Sequence, residues 1–390
     1  MFIIDKPYIS DLFRETVRNH DIPVIATSAA MDMVLFDGTP LVGEEAAVQM
    51  ALENDRLRVY TTSENAIGWL AAHFSATDLP GKIELFKNKL KFREITADIF
   101  PSFFFTGVLL AQLREFDISN IPVPFIIKPA VGFFSMGVHK VTERNEWRSV
   151  VDTVQNEIDQ TKELYPLEVL DTGTFIIEQC VEGEEYAVDA YYDDAGDAVI
   201  LSIFHHSFSS DSDVSDRVYT TSKEIVEANL EEFSSFVAGI GQATAVRNFP
   251  VHIELRREPS GRILPIEVNP MRFGGWCTTA DMTTLAFGVN PYLCYYRQEK
   301  PDWQVALAGK ENTLYSLIVL DNSTGTAGRD IERFNYEKLM AGFEKPLELR
   351  KVDFRQYPVF GFLFTETRGD NFAELKMILD SDLREFITPV

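Results

Sequence analysis

The segment Val251 to Asn269, VHIELRREPSGRILPIEVN, constrains the chain more than any other. Val251, Ile253 and Leu255 share one face and His252 and Glu254 the other, the period of two of a half-buried strand. Leu264, Ile266 and Val268 repeat the pattern towards a core, which sets Glu267 and Asn269 together on the opposite side. Pro259-Ser260-Gly261-Arg262 is a turn signal between the two runs, so the segment reads as a β-hairpin. A turn centred between Ser260 and Gly261 places Glu254 opposite Glu267 and His252 opposite Asn269. Two facing carboxylates repel and call for a counter-charge. Three oxygen donors without a thiolate, Glu254, Glu267 and Asn269, select a hard cation, Mg²⁺ or Mn²⁺. The competing reading is a solvated strand face whose glutamates give solubility, and a register slipped by one residue would undo the pairing.

Around this hairpin the pattern changes twice. Phe2 to Thr27 alternates short apolar runs with a helix-like segment, as does Arg58 to about Phe74 with Ser63 as a helix N-cap, which predicts a parallel α/β domain over 1–82. A Lys-rich amphipathic stretch, Ile83 to Ala97, leads into β-rich segments separated by two polar helices, about 142–163 and 222–239. After Pro301 the chain reads as α+β, with strands near 314–320, 347–354 and 359–365 and a helix over about 371–386. The predicted organisation is an N-terminal domain 1–82, a central domain 83–300 in two subdomains, and a C-terminal extension 301–390. Ser207 to Arg217, SFSSDSDVSDR, is too polar for a core element and reads as a loop.

Two further segments carry candidate chemistry. In PFIIKPAVGFFSMGV, Lys128 ends an apolar strand and is followed by a loop from Gly132 through Ser135 to Gly137, where backbone N–H groups can approach a phosphate. Lys128 is expected to have its charge met by ligand alone; the alternative is a lysine that snorkels from the strand end. In TFIIEQCVEGEEYAVD, Ile176, Glu178 and Cys180 share a face before Gly183, and Glu185 and Asp189 share one after it.

Taken in order, Lys89 in NKLKFRE, Lys128 in IIKP, Glu178 and Glu185 in IIEQCVEGEE, and Glu254, Glu267 and Asn269 resemble the ATP-grasp superfamily over roughly residues 83–275. The resemblance implies an ATP-grasp fold flanked by an N-terminal parallel α/β domain and a C-terminal α+β extension. It implies that Lys89 and Lys128 contact ATP phosphates, that Glu178 accepts from the adenine amino group, and that Cys180 and Val181 offer backbone contacts. Glu185 would bind ribose, and Glu254, Glu267 and Asn269 would hold Mg²⁺ (or Mn²⁺). The loop Gly132, Ser135, Gly137 would close over the triphosphate. The implied reaction phosphorylates a carboxylate to an acyl phosphate that an amine attacks, releasing ADP and phosphate. Two departures concern the substrate side: Asn88-Lys89 replaces the usual Asp-Lys, and the arginine after Asn-Pro is displaced by one, to Arg272. Arg272 is the candidate to orient the carboxylate, with Arg217 and His205 as further substrate candidates. The plain alternatives are Arg272 paired with Asp281 or another surface carboxylate, Arg217 paired with Asp213 or Asp216, and His205-His206 packed at a strand end. Cys277 has no general base beside it, which excludes a nucleophilic role.

Composition narrows the partners. Against 36 Lys and Arg stand 60 Asp and Glu, a net charge of −24, and no Lys/Arg-rich run opposes it. Such a surface repels nucleic acid and anionic membranes. No apolar run approaches the roughly 18 residues of a spanning helix. The three cysteines are odd in number and form no CxxC pair, which supports neither a disulfide framework nor a zinc cluster, and a reducing, cytoplasmic setting is the expectation. The expected partners are a small carboxylate and an amine, with room for a homo-oligomer. Other ATP-grasp reactions (carboxylation, carbamoyl-phosphate chemistry, a thiol acceptor) and a catalytically silent ATP-binding regulatory module are the rival readings.

Overall fold

The apolar triplet Phe2 to Ile4 is buried because it lies in a small parallel sheet. In the computed structural model, which describes residues 1–33, 38–54, 56–132, 137–161, 171–209 and 216–390, that sheet comprises β1 (Phe2–Ile3), β2 (Val24–Ile25), β3 (Leu41–Val42) and β4 (Tyr60–Thr61). Their order is β3-β2-β1-β4, all parallel. Caps start the helices between them. The Ser10 hydroxyl accepts from the Phe13 N–H ahead of helix Asp11–Asn19, and the Ser63 hydroxyl accepts from the Asn65 N–H ahead of the turn Glu64–Ala66 and helix Ile67–His73.

The amphipathic stretch after it forms two helices, Leu79–Lys87 and Lys89–Ile95, divided at Asn88. The Asn88 side chain accepts from the N–H groups of Leu90 and Lys91, so the departure from the usual Asp keeps the capping acceptor that orients Lys89.

A four-stranded antiparallel sheet follows: β5 (Phe105–Leu109), β6 (Phe125–Val131), β7 (His139–Val141) and β8 (Asp171–Gln179), in the order β5-β8-β6-β7. One face, with Phe125, Ile127, Phe175 and Ile177, packs under helix Trp147–Thr161. Alternation therefore turns Lys128 and Glu178 to the opposite face.

The rest of the chain supplies β9 (Glu184–Tyr192), β10 (Ala198–Ser207), β11 (Val218–Thr221), β12 (Phe249–Arg257), β13 (Ile263–Pro270), β14 (Thr313–Asp321), β15 (Ile331–Phe334), β16 (Lys345–Lys351), β17 (Val359–Arg368) and β18 (Ile387–Pro389). Eight of them form one sheet, β13-β12-β9-β10-β11-β14-β17-β16, and β15 pairs with β18. The C-terminal extension thus has no separate main sheet: β14 pairs with β11 and carries the central sheet onward. Helix Lys223–Thr244 covers one face through Phe233, Val237 and Ile240. Gly241 lets it approach closely, since a Cβ there would meet the Tyr192 ring at 2.3 Å.

The helix expected over 371–386 is broken into Ala373–Asp380 and a turn Arg384–Phe386. Arg217 donates to the carbonyls of Ile378 and Ser381 and so caps the first piece. Among the described residues no helix is long and apolar enough to cross a membrane.

Candidate active site

β12 and β13 pair as the sequence predicts, with Glu254 opposite Glu267 and His252 opposite Asn269. The route to that register differs. The connecting loop has three residues, closed by the Glu258 N–H on the Arg262 carbonyl at 2.9 Å, with Gly261 at φ +85°. Beside the loop Arg256 faces Leu264, and Ile266 is the extra residue of a bulge that resets the pairing before Glu254. The bulge also corrects two expected orientations. Leu264 and Ile266 leave the main core and join Phe103 and Val181 in a separate apolar cluster, whereas Val268 stays with Val251, Ile253 and Leu255.

The side chains of Glu254 and Glu267 are 31% and 27% exposed. Burial and the charge of Glu267 push the Glu254 carboxyl well above the usual carboxylate range. Burial would raise Glu267 as well, but the Lys89 and Lys128 charges outweigh it and hold that carboxyl low. Lys89 Nζ donates to Glu267 Oε1 and to the Gly132 carbonyl, each at 3.1 Å. It therefore ties the helix Lys89–Ile95, the loop after β6 and the acidic pair to one another.

Lys128 is not left for ligand alone. Its Nζ lies 2.6 Å from Glu178 Oε1, while Arg93 Nε donates to Glu178 Oε2 at 2.8 Å, and all three residues are buried. Burial alone would raise the Glu178 carboxyl; the two cations hold it at about 2. Burial lowers Lys128, and the Glu178 charge partly restores it. Because the folded carboxyl titrates below its usual 4.5, its stabilisation is present above that pH and is lost as pH falls towards about 2. The stability gap between the parent and Glu178→Gln is therefore expected to narrow over that interval in denaturant melts. A gap independent of pH would detach the ion pairs from stability.

Beyond β8 the Cys180 N–H donates to the Pro124 carbonyl at 3.3 Å, and the Val181 carbonyl accepts from Arg256 Nη1 at 2.6 Å. Glu185 is flanked by His206 Nδ1 at 2.8 Å and Arg256 Nε at 2.8 Å. The His206 ring stacks on Tyr219, centroids 4.1 Å apart. A buried Asp189 accepts from the Gly274 N–H and the Thr279 hydroxyl and lies 2.7 Å from His252 Nδ1, tying β9 and β12 to the segment after β13.

Residues 121–280 match the family model described as the ATP-grasp domain. The chain contains an ATP-grasp domain. No curated protein sequence matches it significantly. Among solved structures, an L-amino acid ligase from Bacillus licheniformis superposes over 100% of this chain and 98% of its own at a TM-score of 0.69 and 18% identity. Biotin carboxylase from Campylobacter jejuni covers 100% and 92% at 0.63 and 12%. N5-carboxyaminoimidazole ribonucleotide synthetase from Thermotoga maritima covers 100% and 98% at 0.59 and 15%. At these identities the likeness is one of fold, and here it extends over the whole chain.

The donor set of this ATP-grasp cleft suits a magnesium ion. Among the described residues no group of three or more His, Cys, Asp and Glu forms a complete metal cage. Mg²⁺ requires none, since it keeps waters and binds through one or two carboxylates together with phosphate oxygens. The facing Glu254 and Glu267, beside the buried Asn269, supply that kind of half-shell.

Two expected substrate residues lie away from the ATP-grasp cleft. Arg217 is buried and engaged in a two-pronged ion pair with Asp321, Nε and Nη2 at 2.9 and 3.0 Å, besides the carbonyls it caps and the Ser323 hydroxyl. Its role is to lock the C-terminal elements to the sheet. His205 occupies the face opposite His206: it pairs with Tyr186 along β10 and meets that ring edge-on at 5.2 Å, on the side of helix Lys223–Thr244. Strand alternation puts only one of the two histidines beside Glu185, and it is His206.

Arg272 pairs with neither Asp281 nor a surface group. Asp281 belongs to Arg350, while Arg272 holds the buried end of Glu64, from the N-terminal domain. Burial pushes the Cys277 thiol up to about 11, far from a thiolate. Ser135, like Asp213, lies outside the described residues.

The sequence reading did not single out Arg93 and Glu64, and it named Asp189 and His206 without their partners. Arg93 had a signal, being four positions after Lys89 on one helix face. The partners of Asp189, His206 and Glu64 had none, because they are chosen by strand pairing and domain packing.

Proposed function

We propose that this chain is an ATP- and Mg²⁺-dependent ligase that activates a carboxylate as an acyl phosphate for attack by an amine, releasing ADP and phosphate. The observation that carries the reading is the facing Glu254–Glu267 pair set against Lys89 and, across the cleft, Lys128. Glu254, Glu267 and Asn269 would hold the metal, which when bound neutralises charge on the transferring phosphoryl group. Lys89 and Lys128 would exchange part of their carboxylate contacts for phosphate oxygens. With the Cys180 N–H and the Val181 carbonyl already engaged, a base would meet the Cys180 carbonyl and the Val181 N–H, with Leu264 and Ile266 as its apolar floor. Glu178, kept ionised, offers only acceptors and so suits the adenine amino group. Glu185 would take a ribose hydroxyl, and Arg272 would hold the carboxylate in line with the γ-phosphate.

The test is an ADP-release screen with amino acids and small carboxylic acids, singly and in pairs. Release that requires both an acid and an amine is the expected result. Release that requires bicarbonate would favour carboxylation, the reading suggested by the likeness to the two carboxylating enzymes' folds. No release with any pool would leave an ATP-binding module.

Arg272→Lys is expected to leave ATP affinity near the parent's and to lower kcat/KM for the carboxylate by at least about tenfold, ~1.4 kcal/mol, because a lysine lacks the planar fork. Parent-like turnover in that variant would remove Arg272 from the acceptor site.

A further inference from the structure

The guanidinium of Arg272 is held by a residue from another domain. Glu64 follows β4, at the carboxyl end of the parallel sheet and on the side of β1 where the strand order reverses, the place where open α/β sheets present ligand-binding groups. Two backbone facts bring that edge to the cleft. The Thr61 N–H donates to the Met271 carbonyl at 2.8 Å, and Met271 adopts φ +68°, turning the chain between Asn269 and Arg272. Arg272 Nε donates to Glu64 Oε1 at 3.1 Å, Nη2 donates to the same oxygen, and Nη1 donates to the Phe273 carbonyl at 2.9 Å. Lys87, buried, takes Glu64 Oε2. Of the five N–H donors of the guanidinium, these contacts use three and leave one on each Nη.

We propose that Glu64 is a positioning residue for the acceptor site: it fixes Arg272 by Nε and Nη2 so that the remaining Nη1 and Nη2 donors face the carboxylate undergoing activation. The inference rests on the ligase reading above for the identity of that ligand. It explains why an arginine displaced by one position after Asn-Pro can still serve the cleft: the left-handed turn at Met271 absorbs the extra residue and Glu64 re-aims the side chain. Lys87 offsets repulsion, since the Glu64 charge acts on Glu267 and Lys87 opposes it there. The charges of Arg272 and Lys87 overcome the effect of burial and keep the Glu64 carboxyl far below the usual range.

The test uses two readouts. In the resting protein, solvent exchange of the Arg272 Nε–H, followed by nitrogen-15 NMR, is expected to accelerate at least about tenfold in Glu64→Gln; unchanged exchange overturns the proposal. In turnover, Glu64→Gln is expected to lower kcat/KM for the carboxylate at least about tenfold with the Kd for ATP within about threefold of the parent. Adding Arg272→Lys should then cost no further factor, and losses that multiply would also overturn it. Should Glu64→Gln fold poorly, Glu64→Asp keeps the charge but withdraws the carboxylate by one methylene, and the same two readouts apply. If the parent itself shows no carboxylate-dependent ADP release, the ligase reading falls, while the exchange measurement still decides whether Glu64 positions Arg272.

Discussion

Glu267→Gln is expected to fold like the parent and to form ADP about 10²- to 10³-fold more slowly, ~3–4 kcal/mol of lost transition-state stabilisation. Folding should survive because the substitution removes one of two facing carboxylates and so relieves a repulsion; a thermal melt within a few degrees of the parent is the control. Catalysis should not survive, because Glu267 would be one of the proposed metal ligands and also meets Lys89, whose Nζ lies 3.1 Å from it. The change therefore weakens charge neutralisation and loosens the lysine at once. It also removes the largest cause, after burial, that raises the Glu254 carboxyl. A coupled ADP assay that returned near-parent turnover would remove the metal assignment.

Lys128→Ala is expected to weaken both nucleotide binding and folding. Read from the sequence, the charge of this lysine is met only by ligand, so binding would weaken more than folding. The structure instead places it 2.6 Å from Glu178 in a buried triad with Arg93. Removing one partner of a buried ion pair typically costs about 3–5 kcal/mol. Because Arg93 remains on the other carboxylate oxygen, a loss of about 2–3 kcal/mol is expected in denaturant melts. Nucleotide affinity should fall by about 10- to 100-fold, the effect of one charge-assisted hydrogen bond to phosphate. Calorimetry that found unchanged nucleotide affinity beside the stability loss would make Lys128 a structural cation.

Legibility followed the range of the interaction. Ser63 was readable as a cap because capping involves neighbours two or three residues on, and the pairing of Glu254 with Glu267 was readable because a hairpin connects its own strands. Even there the loop is centred on Ser260 rather than between Ser260 and Gly261, and only the bulge at Ile266 returns the carboxylates to the same pair. The C-terminal strands were placed within a few residues, yet nothing local announces that β14 pairs with β11 and that one eight-stranded sheet runs through both regions.

The sequence by itself determined which residue types stand on which strand face: the alternation about Glu254 and Glu267, the lysine among the apolar residues of β6, which lies mid-strand rather than at the strand end the sequence suggested, and the acidic turn after β8. These depend on backbone periodicity, a property of consecutive residues. Only the tertiary structure decided which charges meet. It gave Glu178 to Arg93 and Lys128, Glu185 to His206, Arg217 to Asp321 and Arg272 to Glu64. A buried charge must find a partner wherever packing brings one within hydrogen-bond reach, and that choice depends on folded distances along which separation in sequence, 208 residues for Glu64 and Arg272, carries no information.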